Sequence, residues 1–70
     1  MTDVDILLAA EVAAQKFVAD SAAGKTEADS DEAATRAFWS LKAPHTKQLL
    51  FRYHFAVCLL RLYQQEDAAG

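Results

Sequence analysis

Ile6, Leu7, Ala10, Ala13, Ala14 and Phe17 return at intervals of three and four, so on a helix turning about 100° per residue they fall on one side. This stripe predicts a first helix over residues 3–22, with its apolar face turned to a core. Val4, Leu8 and Val12 repeat every four residues on a separate face, among Glu11, Gln15 and Lys16. Such a row is either scattered surface apolar area or a contact surface. From residue 49 onward the chain is apolar almost all round. Leu49, Leu50, Tyr53, Ala56, Val57, Leu60 and Tyr63 form one stripe, and Phe51, Phe55, Cys58, Leu59 and Leu62 form another, nearly opposite.

The boundaries follow from capping chemistry. Thr2 and Asp5 fit a helix start, with a hydroxyl over an early backbone N–H and an acid at the positive end of the dipole. Gly24 suits the left-handed residue that ends a helix, and residues 24–30 read as the one true loop. Asp29 or Ser30 caps a second helix over about 31–42, whose first turn holds Asp31 and Glu32. Pro44 disfavours helical geometry at Ala43 but suits the first turn of a third helix, predicted over about 44–66, with residues 67–70 as a frayed tail. The short join at residues 42–44 requires a sharp corner or a kink.

Composition agrees with this layout. Seventy residues with fifteen alanines, two glycines and one proline predict a single all-α domain over residues 1–70, a long-short-long set of three helices. One cysteine, Cys58, closes no internal disulfide, and His45 and His54 lie too far apart in sequence for a helical metal pair, so neither metal nor cofactor is expected. A chain this small buries only roughly 60% of its unfolded surface, and association between chains is the remaining staple. Two helices of this length cover one side of the third far better than both. A symmetric homodimer is therefore expected, its interface made of Phe51, Phe55, Cys58, Leu59 and Leu62; the competing arrangement is a monomeric bundle with one helix on each face.

Charge divides unevenly. Residues 1–35 hold eight acids and two lysines, a net of −6, while residues 36–70 hold five bases and two acids, a net of +3, which together give the −3 of the chain. The split expresses either internal pairing between helices, or a positive surface that meets an acidic partner or an acidic surface on the first two helices that meets a basic one. The acidic start of the chain predicts no secretory leader, and the most apolar stretch, residues 49–63, carries Arg52, His54 and Arg61, so no membrane span and a cytoplasmic location are expected.

No serine, histidine and acid fall in a catalytic spacing, no glycine-rich phosphate loop exists, and Cys58 sits in an apolar run where a thiol acts as a small hydrophobe. The chain reads as a non-enzyme. Arg36, Trp39 and Lys42, near the end of the second helix, are residue types that anchor protein interfaces, and with Val4, Leu8 and Val12 they form the candidate partner-binding set. Trp39 also fits a core position beside Ala34, Ala37, Phe38 and Leu41. A nucleic-acid reading would use Lys47, Arg52, His54 and Arg61, but the greasy third helix and the net acidity oppose it, so no direct nucleic-acid contact is expected.

The segment Ala33-Ala34-Thr35-Arg36-Ala37-Phe38-Trp39-Ser40-Leu41-Lys42-Ala43-Pro44, followed by Leu49-Leu50-Phe51-Arg52-Tyr53-His54, resembles the small phage-encoded anti-activators of Pseudomonas quorum sensing. The resemblance extends to length, alanine content and layout, and no binding residue is carried over from it. It implies a small helical homodimer, made in the infected host, that binds a LuxR-type transcription activator and keeps it from DNA. It also implies inhibition of the type IV pilus assembly ATPase, and with it superinfection exclusion. An anti-CRISPR-like inhibitor of another host protein, a small nucleic-acid-binding regulator and an assembly subunit are the alternatives.

Overall fold

The first helix begins where two reciprocal hydrogen bonds close a box. In the computed structural model, which describes residues 2–25 and 29–69 and side chains as far as Gln65, the Asp5 N–H donates to Thr2 Oγ1 at 3.2 Å. The Thr2 N–H in turn donates to Asp5 Oδ2 at 3.0 Å. Each bond satisfies a donor that the helix itself leaves unpaired. Helix α1 then runs over Asp3–Ala22, and Gly24 follows with φ +71°, the left-handed geometry expected of it. Of the predicted loop at 24–30, residues 26–28 lie outside the described residues. Asp29 caps α2, Ser30–Leu41, by accepting from the Glu32 N–H at 2.7 Å.

Helix α2 ends on Lys42 in the left-handed region, φ 57° and ψ 32°, and this residue makes the sharp corner. Pro44 does not open the third helix as expected. It is extended, with φ −58° and ψ 141°, and its carbonyl accepts from the Lys47 N–H at 2.9 Å to start a short 3-10 turn over His45–Lys47. Helix α3 follows over Gln48–Ala69. It outruns its expected end because no glycine or proline interrupts residues 63–69.

Among the described residues the fold is all-α, three α-helices long-short-long. Helices α1 and α3 run in the same sense: Lys47 Nζ pairs with Asp3 Oδ1 at 2.7 Å near their starts, and Glu11 and Gln15 share a cleft with His54, Arg61 and Gln65 further along. Helix α2 packs against both, and Arg52 of α3 reaches Asp31 in its first turn at 2.6 Å. At about 1.5 Å per residue α2 is only about 18 Å long, little more than half of α3.

The core pairs bulk with small residues. Ile6, Ala10 and Ala14 from α1 and Ala34 and Phe38 from α2 close over Phe51, Phe55, Cys58 and Leu59 of α3, all buried. A file of rings crosses it: Phe17 meets Phe55 edge-on at 6.3 Å, Phe55 stacks on Phe51 at 6.4 Å, Phe51 meets Phe38 at 5.6 Å, and Phe38 meets Trp39 at 5.9 Å.

This core corrects the expected dimer seam. Phe51, Phe55, Cys58 and Leu59 are buried within their own chain and are not free to face another copy, while Leu62 is half-buried against them. Of the opposite stripe, Leu49, 80% exposed, Tyr53, 73% exposed, Leu60 and Tyr63 point outward, while Leu50 packs against the core. The reason is volume. Alanine-lined faces on α1 and α2 leave space that three phenylalanines fill, and interiors close to crystal density rather than leave it empty.

Candidate protein-binding surface

Val4, Leu8 and Val12 stand where their spacing predicts, on the side of α1 away from Ile6, Ala10 and Ala14, and more than half of each side chain's area is open to solvent. A row of branched apolar side chains on a capped, rigid helix has lost backbone freedom before any partner arrives, which lowers the entropic cost of contact.

Around from this row lies a cleft between α1 and α2. Ala13, Lys16, Phe17 and Asp20 form one wall and Ala33, Arg36, Ala37 and Ser40 the other, around a volume of about 280 Å3. Lys16 is one turn beyond Val12, so the apolar row borders the cleft, and Arg36 faces the same opening from α2. Alanine walls leave room for an inserted side chain, and Phe17 gives it an apolar contact. Arg36 pairs with Glu32 one turn back at 2.8 Å, both ends exposed, a bond weak enough to exchange for a partner's carboxylate.

Trp39 is neither core nor free surface. It is 49% exposed and rests edge-on against Phe38 on one side and against the His45 ring, 4.8 Å away, on the other. Its indole is thus fixed in place while half remains open, the arrangement of an interface anchor. Lys42 is exposed at the corner beyond it. The structure brings Arg36 to the α1 row through the shared cleft, while Trp39 and Lys42 lie around the end of α2, toward the 3-10 turn.

The bases considered for nucleic acid do not form a basic face. Lys47 is tied to Asp3 and Arg52 to Asp31, so part of the charge split between the two halves of the chain is internal pairing. His54 and Arg61 border a second cleft, of about 260 Å3, opposite Glu11 and above the Cys58 thiol. Burial, and then the Glu11 charge, push that thiol above its ordinary range, while Arg61 works the other way, so the thiolate form is disfavoured. Among the described residues no three His, Cys, Asp or Glu side chains gather as metal ligands, and no helix is long and apolar enough to cross a membrane.

Sequence reasoning missed the outward row Leu49, Tyr53, Leu60 and Tyr63. Its signal was present in the two tyrosines, whose hydroxyls need water or a partner, whereas the opposite stripe has phenylalanines. Comparison with protein-family models, with curated proteins and with solved structures gives no match to this chain.

Proposed function

We propose that the chain is a non-catalytic inhibitor that covers the DNA-binding surface of a LuxR-type transcription activator, using Val4, Leu8 and Val12 of α1, the α1–α2 cleft with Arg36, and the Trp39–Lys42 corner. The observation that carries the protein-binding part is the exposed Val4–Leu8–Val12 row, on a helix whose opposite side is already committed to the core. The choice of partner rests on the resemblance of residues 33–44 and 49–54 to the quorum-sensing anti-activators. Charge supports it as far as it is not used within the chain: residues 1–35 carry a net −6, of which Asp3 and Asp31 pair with Lys47 and Arg52, and a surface that grips DNA phosphates is basic. The pilus assembly ATPase is the second host target this reading includes.

The test is size-exclusion co-elution of the purified chain with a LuxR-type activator, read alongside retention of operator DNA. A complex that no longer retains the operator is expected, weakened by added salt and by Leu8→Asp or Trp39→Ala. Separate elution at micromolar concentration, or binding indifferent to both substitutions, would overturn the reading.

A further inference from the structure

The cleft between α1 and α3 holds polar groups that nothing in the chain's own packing uses. Glu11 and Gln15, four residues apart, stand on one wall, and His54, Arg61 and Gln65 line the other at helical spacing, around a volume of about 260 Å3. The Cys58 thiol and the half-buried Leu62 form an apolar floor. Glu11 and Arg61 both act on that thiol, the acid pushing it up and the guanidinium working the other way, so the two charges face the same opening. Among the described residues no ion pair joins them, and none of the five polar side chains has a hydrogen-bonding partner.

We infer that this cleft is a binding site for a free α-amino acid with an apolar side chain, its ammonium on the Glu11 wall and its carboxylate on the Arg61 wall. The charges select the class. An anion that pairs with Arg61 is repelled by Glu11, and a cation that pairs with Glu11 is repelled by Arg61, so a molecule with one charge loses on one wall what it gains on the other. A zwitterion gains on both. The Arg61 fork matches a carboxylate through two parallel bonds, and His54, on the same wall, adds no negative charge to oppose it. The Gln15 and Gln65 amides, one on each wall, each offer donors and an acceptor to the same head group.

The volume sets the size. Pockets for drug-sized ligands begin at about 300 Å3, so a cleft just below that takes a molecule of fewer atoms. Its side chain lies on Leu62 and the protonated Cys58 thiol, which as a small hydrophobe suits an apolar floor. The site shares no residue with the α1 row or the α1–α2 cleft, and it does not depend on what those bind.

The experiment is an NMR titration of the isotope-labelled full chain at neutral pH, read from its backbone amide shifts. The probes are L-leucine, taken into the millimolar range, and two analogues with one charge each, isocaproate and isoamylamine. Saturable shifts on both walls of the cleft are expected with L-leucine, and binding at least tenfold weaker with either analogue. Glu11→Gln and Arg61→Gln, both at exposed positions, are each expected to lose at least tenfold in leucine affinity with helicity unchanged by circular dichroism. Lys16→Gln, in the other cleft, is expected to keep it. Shifts that do not saturate with L-leucine would overturn the inference, as would an analogue that binds as tightly as leucine or wall variants that bind it as well as wild type.

Discussion

Phe51 meets Phe38 edge-on, the ring centroids 5.6 Å apart and the planes at 63°, and neither ring reaches solvent. This contact joins α3 to α2 at the centre of the core, and the Phe55–Phe17 contact joins α3 to α1 beside it.

Loss of either anchor therefore costs folding rather than association. Phe51→Ala is expected to destabilise the chain by about 3–5 kcal/mol, the usual range for a buried aromatic. In so small a domain that is most of its stability. Phe55→Asp, which puts a charge in the same place, is expected to unfold it. Thermal melting by circular dichroism checks both, and a folded, merely dissociated Phe55→Asp chain would show that Phe55 lies at an interface after all.

How much of this was legible in the sequence depends on the range of the interaction. The start and end of α1, the Thr2–Asp5 box, the Asp29 cap and the Gly24 turn are set by neighbours within a few residues, and the sequence displays them. The face of α3 that turns inward is set by what lies across from it. Both of its stripes are apolar, and only the small side chains of Ala10, Ala14 and Ala34, distant in sequence, decide that Phe51 and Phe55 fit and Tyr53 and Leu60 do not. The same range effect separates the candidate sites. The Val4–Leu8–Val12 row needs only α1 to be read, whereas the cleft that places Arg36 beside it needs two helices in contact.

The Thr2–Asp5 box gives the first turn of α1 a pH dependence. The Thr2 backbone N–H, and then its hydroxyl, hold the Asp5 carboxyl below its ordinary value of 3.8. Because the folded value is the lower one, the contribution is fully present above about pH 4 and is lost as pH falls through the folded value. Melting curves of wild type and Asp5→Ala are expected to differ at neutral pH and to converge as the pH drops toward 2. A gap that persists unchanged at low pH would mean that the carboxylate charge adds nothing to the cap.

Cys58 provides a probe of the core. It is 7% exposed and its thiol is pushed up by burial, so it is expected to react with Ellman's reagent at neutral pH far more slowly than in the denatured chain. Leu59→Ala, which opens space beside it, is expected to raise that rate by at least tenfold. Labelling as fast in the native chain as in denaturant would contradict the packing of α1 over α3.

Lys42 separates stability from binding at a single position. It is the one non-glycine residue with positive φ among the described residues, and a side chain there costs about 1 kcal/mol that glycine does not incur. Lys42→Gly is thus expected to raise stability by no more than about 0.5 kcal/mol, after the extra freedom glycine adds to the unfolded chain, and Lys42→Val to lower it. If the exposed ammonium at this corner also meets an acidic group on the regulator, the glycine variant will melt higher yet bind more weakly, and weaker binding will be strongest at low salt. Titration calorimetry beside thermal melting distinguishes the outcomes: a variant that gains stability and keeps full affinity would show that Lys42 turns the corner and does nothing else.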